Sequence, residues 1–212
     1  MTRKAVVAAA TVAAAATIGV MVLTQGRKPA SPAGSSAVEV GGKYDPKAAE
    51  PTYLGGKWIE ITYGRPILRG RDVFGSGASY GKVANPDQPV WRAGANVTTQ
   101  LKTEVPLVVN GKTVAPGTYT VFVDLKPNSW TLILSNWKAQ TRYDPSNKAE
   151  IWGAYGYTPD KDVVRAPMKM ETLPHSHAEM SWQFLDMTDA GGVLAVMWDK
   201  TLASVTFRIG SA

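Results

Sequence analysis

Four arginines lie between residues 63 and 96, where the chain reads YGRPILRGRDVFG, then YGKV, then VWRAGAN. A guanidinium group is a planar fork of N–H donors that suits carboxylate, phosphate or sugar oxygens. An aromatic ring and a side-chain amide nearby would complete a binding set. The candidate ligand-binding residues are Arg65, Arg71, Trp91, Arg92 and Asn96. The alternative is structural, because arginines at the base of loops also donate to backbone carbonyls.

Trp91 and Arg92 are neighbours, so on an extended chain their side chains point to opposite faces. We expect Trp91 to enter the core and Arg92 to face the other candidate residues. Like charges gather in a partly dry site only when acceptors are close, because an unpaired buried charge is costly. The nearby acceptors are backbone carbonyls and the carboxylates of Asp72 and Asp87.

The two histidines of the chain form a second candidate group with a glutamate, in the run HSHAE from residue 175 to residue 179. On a strand, His175, His177 and Glu179 would share one face and could hold a divalent metal. Pro174 precedes the run, and this face is expected to be exposed to solvent. We therefore predict no metal and no cofactor, with these three residues as the candidates if a metal does bind.

Other catalytic patterns have little support. The chain has no cysteine and no Gly-x-Ser-x-Gly nucleophile elbow. The glycine-rich loop at residues 75–77 lacks the Lys-Ser/Thr ending of a phosphate loop. Four of the seven tryptophans fall near expected strand ends or loops, where some could stack on a sugar, although burial in the core is favoured for each: Trp58, Trp91, Trp137 and Trp152.

Alternation of apolar and polar residues dominates the rest of the sequence. Period-2 patterns typical of half-buried strands occur at residues 59–63, 118–125, 130–134, 178–184, 194–198 and 203–209. Asn110-Gly111 predicts a two-residue hairpin turn, and Ala190-Gly191-Gly192 a break between two strands. No amphipathic helix of ten or more residues is visible. These features predict an all-β, single antiparallel β-sandwich or barrel-like domain.

The N-terminus has the layout of an export signal or membrane anchor. Arg3 and Lys4 precede a nearly unbroken apolar run from residue 5 to residue 23. A small-residue cleavage pattern follows at residues 35–37. We assign residues 1–37 to this segment, residues 38–56 to a flexible linker of Gly, Pro, Ser, Ala and Lys composition, and residues 57–212 to the β domain.

Charge is unevenly distributed. The formal net charge is +6, but residues 1–37 carry four basic residues and no acid, which leaves 19 basic against 17 acidic residues, or +2, in the remainder. No basic stripe of the kind that binds nucleic acid is present. Contact with a membrane is expected only through the N-terminal segment.

Several strings of the sequence are similar to the bacterial domain-of-unknown-function family 2911. Besides the arginine-rich strings above, they include VNGKTVAPGTYTVF, WTLILS, WGAYGYTPDKDVVR and a late WDKT. The resemblance covers roughly residues 57–209, and the order and spacing of the strings agree. It implies one exported domain and leaves the biochemical role open.

Two departures from the family pattern are notable. The family usually has an acidic residue where this chain has Val97, and a glutamate where it has Asp199. An insertion-like stretch at residues 84–89 is expected to lengthen a loop beside the candidate site.

The sequence therefore predicts an exported protein of the bacterial periplasm or envelope, with a non-catalytic binding or structural role. Its ligand, if any, would be a small anionic or sugar-like molecule. The alternative is a hydrolase that uses the polar site near Arg65, Arg92 and Asn96, or a metal at the histidine run.

Overall fold

A computed structural model describes residues 29–47, 49–50 and 52–211. Its elements in chain order are β1 (Ala33–Val40), β2 (Lys43–Asp45), β3 (Thr52–Leu54), β4 (Lys57–Gly64), β5 (Gln100–Thr103), β6 (Leu107–Val109), β7 (Lys112–Val114), β8 (Gly117–Asp124), β9 (Thr131–Ser135), β10 (Lys138–Ala139), β11 (Glu150–Ile151), β12 (Asp162–Pro167), β13 (Lys169–Thr188) and β14 (Gly191–Ile209). Within the described residues the only helical segments are two 3-10 turns, Gly77–Ser79 and Pro159–Lys161. The prediction of an all-β fold is confirmed.

Two antiparallel sheets form the sandwich. The first has the strand order β1-β4-β5-β8-β9-β12 and the second the order β13-β14-β6-β7. Apolar side chains of both sheets meet in one buried cluster, for example Ile61 and Val121 from the first sheet and Trp182 and Val196 from the second. Burial of this apolar surface is the main stabilising contribution to the fold.

The Asn110-Gly111 hairpin forms as predicted. Val109 pairs with Lys112, so the two turn residues join β6 to β7 directly. Asn110 has φ 49° and Gly111 has φ 75°. Positive φ at both central residues is the geometry that favours Asn-Gly in tight hairpins.

The last two strands form one long hairpin that turns at Ala190. The sequence patterns at residues 194–198 and 203–209 belong to a single 19-residue strand, β14. Asp199 adopts φ 52° between them, and the register against β13 shifts between Thr172 and His177. Because of this irregularity, the alternation in the sequence predicts two separate strands where the structure has one.

The centre of the first sheet is buried on both faces. Phe122 of β8 and Ile133 of β9 point away from the main core into a second apolar cluster. This cluster also contains Val90, Ile151 and Ala154, with Trp137 and Tyr157 packed against it. The irregular segment from β10 to β12 therefore covers the outer face of the sheet, and this cover carries part of the site described below.

Strand β1 lies inside stretches that the sequence analysis assigned to the signal segment and the linker. It pairs with β4 along its whole length, from Ala33 opposite Gly64 to Val40 opposite Lys57. At one position of β1 the packing requires glycine, which adds to its linker-like composition. A Cβ atom at Gly34 would lie 2.7 Å from the ring of Tyr63. The described fold thus begins well before residue 57.

The apolar run at residues 5–23 lies outside the described residues, as do all positions before residue 29. In the part of the chain that the structure describes, no helix has the length and apolar character needed to cross a membrane.

Candidate functional site

Trp91 lies in the main core, as expected. Its backbone forms an isolated bridge with Val123 of β8, and its side chain is 1% exposed. The indole stacks on Trp198 with ring centroids 6.0 Å apart and meets Phe74 and Trp130 edge-on. Its Nε1–H is buried and has no hydrogen-bond partner among the described residues. Only part of this ring borders the cleft described below.

Arg92 points to the opposite face, toward the surface. Its Nη1–H donates to the backbone carbonyl of Asn96 at 3.0 Å, and its guanidinium lies 5.3 Å from the ring centroid of Tyr155. Gly153 leaves room for it, since a Cβ atom there would lie 2.6 Å from Arg92 Cζ. The arginine is therefore held between a backbone carbonyl, a glycine and an aromatic ring.

A tight turn at residues 152–155 supplies that ring and glycine. The Tyr155 amide donates to the carbonyl of Trp152 at 3.2 Å, and Gly153 has φ 62°. Thr98 fixes the turn to the arginine loop, because its hydroxyl accepts from the Gly153 amide at 2.7 Å and donates to the carbonyl of Ile151 at 3.0 Å. Two stretches of sequence far apart in the chain thus meet as one rigid unit.

The chain that leaves this turn is held by a polar network at β12. Tyr157 donates its hydroxyl to Asp162 Oδ2 at 2.6 Å, and Arg165 bridges Asp162 and Asp124, at 3.0 Å from each carboxylate. Burial of the phenol, together with its bond to Asp162, raises the pKa of Tyr157 well above its ordinary value of 10.0. Asp162 Oδ1 is buried without a partner among the described residues.

The other candidate arginines bind backbone carbonyls. Arg71 folds back on its own loop, donating from Nε to Leu68 at 3.0 Å and from Nη2 to Ile67 at 2.7 Å. Arg65 donates from Nε to the carbonyl of Met180 on β13, 3.2 Å away. The structural alternative thus describes Arg65 well, and the structure does not place it with Arg92.

Four of the five candidate residues line one cleft of about 440 Å³: Arg71, Trp91, Arg92 and Asn96. We call it the arginine cleft. The remaining lining residues are Ser31, Pro66, Val73, Val83, Ala84, Gly94, Ala95, Trp152, Tyr155 and Trp198. Two guanidinium groups therefore share a cleft whose described lining contains no carboxylate and no histidine.

The residues just before β1 form one rim of this cleft. Three consecutive carbonyls are held there: Ala30 accepts from Arg69 Nη2 at 2.9 Å, and Pro32 accepts from the Arg65 amide at 2.7 Å. Between them, Ser31 accepts from Asn96 Nδ2 at 3.3 Å. Asn96 is thus a rim residue whose amide nitrogen is already engaged.

The histidine run does not join this cleft. His175, His177 and Glu179 are exposed on β13, and the Ser176 hydroxyl between the histidines donates to Asp199 at 2.7 Å. Among the described residues, no three His, Cys, Asp or Glu side chains are grouped so that they could hold a metal ion.

A second, smaller cleft of about 250 Å³ adjoins the first, and sequence reasoning pointed to only two of its residues, Trp137 and Trp152. We call it the aromatic cleft. Trp152 and Tyr155 line both clefts and separate them. Tyr143, 54% exposed, faces this shared wall, with ring centroids 6.3 Å from Trp152 and 6.4 Å from Tyr155. The feature of the sequence that could have indicated this cleft is the high frequency of aromatic residues at positions 152–157.

The departures from the family pattern fall at different places. Val97 borders another depression, on the outer face of β4 and β5 with Glu60, Thr62 and Gln100, so it does not alter the charge of the arginine cleft. The insertion-like stretch does reach the cleft, because Ala84 lines it. Asn85 closes that loop by donating to the carbonyl of Gln88 at 2.6 Å.

The family resemblance is confirmed over most of the chain. The family model described as "Protein of unknown function (DUF2911)" matches residues 45–207, and the protein belongs to this family. Comparisons with curated proteins and with solved structures gave no match.

Proposed function

We propose that this protein is a non-catalytic binding module that holds a small anionic ligand in the arginine cleft. The supporting observation is that Arg71 and Arg92 line one cleft without a carboxylate among its described lining residues. None of the ion pairs among the described residues involves either arginine. A bound anion would neutralise two like charges that face the same space.

Among the described residues, most N–H donors of Arg71 and Arg92 have no hydrogen-bond partner. An arginine carries five N–H donors. Within the described residues, Arg92 uses only Nη1, and Arg71 uses only Nε and Nη2. The remaining donors suit the paired oxygens of a carboxylate or phosphate, for which a guanidinium forms short charge-assisted bonds.

A binding role fits the lining better than catalysis. The described lining residues offer no carboxylate, imidazole or thiol that could act as a general base or nucleophile near neutral pH. The backbone of the cleft is also well fixed, since Trp182 donates from Nε1 to the carbonyl of Ala93 at 2.9 Å, and the Ala95 amide donates to Gly64 at 2.9 Å. A rigid, charged concavity is what binding of a small anion requires.

Isothermal titration calorimetry with phosphate, citrate and galacturonate tests the proposal. At least one of these anions should bind the full chain, and Arg92→Gln should weaken that binding about 10- to 100-fold, because a hydrogen bond to a charged group contributes roughly 1.5–3 kcal/mol. Arg71→Gln should act in the same direction. Binding should also weaken in 0.5 M NaCl, since salt screens exposed charges.

Arg208→Gln is the matched control, because Arg208 is exposed on β14, outside the arginine cleft. It makes the same change of charge and should leave affinity unchanged. Thermal melts of each variant separate lost binding from lost folding. Equal binding by wild type and by both folded cleft variants would refute the proposal, as would the absence of binding by all three anions.

We also propose that the protein is exported to the bacterial envelope. Support comes from the sequence layout of Arg3, Lys4 and the apolar run at residues 5–23. Fractionation of a tagged protein, with N-terminal sequencing, tests this. Full-length protein found only in the cytosol would contradict it, and membrane retention with Met1 present would indicate an anchor.

A further inference from the structure

The aromatic cleft presents unusually exposed rings beside the arginine cleft. Tyr143 and Tyr155 are 54% and 49% exposed, and Trp152 stands between the two clefts. Large exposed aromatic groups cost free energy in water unless a partner covers them, so a contiguous group of them marks a contact surface. The rings of Trp152 and Tyr155 are tilted at 53° and 52° to the ring of Tyr143, and the three rings line a concavity instead of a flat face.

The loop that carries Tyr143 is held in place before any ligand arrives. The buried amide of Gln140 donates to the carbonyls of Asp144, Asn147 and Glu150 at 3.0–3.1 Å and accepts from the Asp144 amide at 2.9 Å. The Asp144 carboxylate accepts from the hydroxyl and amide of Ser146, and these bonds hold its pKa below the ordinary value. A fixed loop loses little entropy on binding.

Polar groups surround the rings. Asn147, Lys148 and Glu150 line the aromatic cleft, and Asn147 Nδ2 donates to Glu150 Oε2 at 3.0 Å. Apolar ring faces bordered by amide, ammonium and carboxylate groups match the surface of a sugar, whose C–H face is apolar and whose edges carry hydroxyls.

The two clefts share the wall formed by Trp152 and Tyr155, with volumes of about 250 and 440 Å³. Together they fall within the ~300–1,000 Å³ typical of ligand sites, which is more than a single small anion would fill. From this continuity we propose that the ligand is an acidic oligosaccharide. Its carboxylate binds at Arg71 and Arg92, and a neighbouring sugar unit packs on Tyr143, Trp152 and Tyr155. The inference rests on the proposed anion site.

Calorimetry on the full chain, purified in a mild detergent, compares four probes: galacturonic acid, its trimer, the methyl-esterified trimer and the tripeptide Glu-Glu-Glu. The trimer should bind about tenfold more tightly than the monomer, the gain expected from one added aromatic stacking contact. The esterified trimer should lose most of this affinity, because it keeps the sugar faces and lacks the charge. The acidic peptide should not exceed the monomer.

Tyr143→Ala should lower the affinity for the trimer to that of the monomer and leave the binding of monomer unchanged. Tyr44→Ala is the matched control, since Tyr44 is 55% exposed on β2, outside both clefts. It should change neither affinity. Unchanged binding of monomer also shows that Tyr143→Ala remains folded.

The possible failures are distinguishable. Equal affinity of the wild type for trimer and monomer would overturn the oligosaccharide while leaving the anion site intact. So would a Tyr143→Ala variant that is folded by its thermal melt and either binds the trimer normally or loses the monomer. Tight binding of the peptide would replace the sugar with a protein partner. Absence of binding by galacturonic acid, phosphate and citrate alike would refute the anion site itself.

Discussion

Arg92 and Gly153 constrain each other across 61 positions of sequence. The guanidinium occupies the space that any side chain at residue 153 would need, and the positive φ of 62° independently favours glycine there. Gly156 has only the second of these constraints: its φ of 80° also favours glycine, but a Cβ atom added there would have no neighbour within 4 Å. Comparing the two glycines therefore distinguishes the effect of backbone conformation from that of the contact with Arg92.

We predict that Gly153→Ala destabilises the protein more than Gly156→Ala. Both variants incur the cost of a left-handed backbone, about 1–3 kcal/mol. Only the first also displaces Arg92, whose flexible side chain can move at modest cost, so its loss should be larger by up to about 1 kcal/mol. Urea denaturation measures both losses. In the background of Arg92→Ala the difference should shrink, and a difference that persists there would show that Arg92 is not the obstacle.

The orientations of some individual side chains in the site could be predicted from the sequence, and the partners of others could not. The opposite orientations of Trp91 and Arg92 follow from their adjacency on an extended chain. The partner of Arg65, in contrast, is a backbone carbonyl at Met180, 115 positions away. No property of the side chain at residue 180 indicates such an interaction, so only the folded arrangement of β13 shows it.

At the scale of elements, the sequence predicts the regular strands but not the irregular segment that covers the outer face of the first sheet. Alternation indicated β4, β8, β9, β13 and β14, because one face of each packs on the core. The cover between β10 and β12 contains short turns stabilised by side-chain-to-backbone bonds, such as those of Gln140 and Thr98. Such turns have no periodic pattern, so the sequence does not show that their aromatic residues line one cleft.

From the polar network at β12 we predict that the protein loses stability at alkaline pH. Because the pKa of Tyr157 is raised in the folded protein, the folded state retains a proton that the unfolded chain releases above its ordinary pKa of 10.0. Its contribution to stability is complete below about pH 10 and falls as pH rises from there toward the folded pKa. The free energy of unfolding, measured by urea melts from pH 8 to pH 11.5, should decline accordingly.

Tyr157→Phe is the variant that isolates this effect. It should be less stable than wild type at pH 8, because Asp162 loses the hydroxyl donor at 2.6 Å. Its stability should then decline less between pH 10 and pH 11.5. Parallel pH profiles for the two proteins would show that another group controls the alkaline transition.

At the scale of the whole molecule, the position of β1 determines where the N-terminus can be shortened. A chain that starts at residue 29 keeps β1 and its rim contacts, whereas one that starts at residue 38 loses five of the eight pairs with β4. We predict that the shorter chain loses about 2–4 kcal/mol, a large share of the ~5–15 kcal/mol of a typical domain. Thermal and urea melts of both chains measure the loss.

A chain that starts at residue 33 distinguishes the contribution of β1 from that of the rim contacts. It keeps β1 and removes the carbonyls that Arg69 and Asn96 bind. It should stay close to the longest chain in stability. The small-residue pattern at residues 35–37 lies within β1. If the protein is exported as proposed and its signal is cleaved, the mature N-terminus should therefore fall before residue 33. Equal stability of chains that start at residues 29 and 38 would contradict this role of β1.

The rim contacts of residues 30–32 have a consequence for how the cleft would meet its ligand. Ser31, in the wall of the arginine cleft, lies eight positions after Leu23, the end of the apolar run. Even fully extended, eight residues span less than about 30 Å. If the apolar run stays in a bilayer, the cleft is confined close to that surface, and the effective concentration of any ligand attached to the same surface is raised. The length of the connecting segment would then influence how often the cleft is occupied.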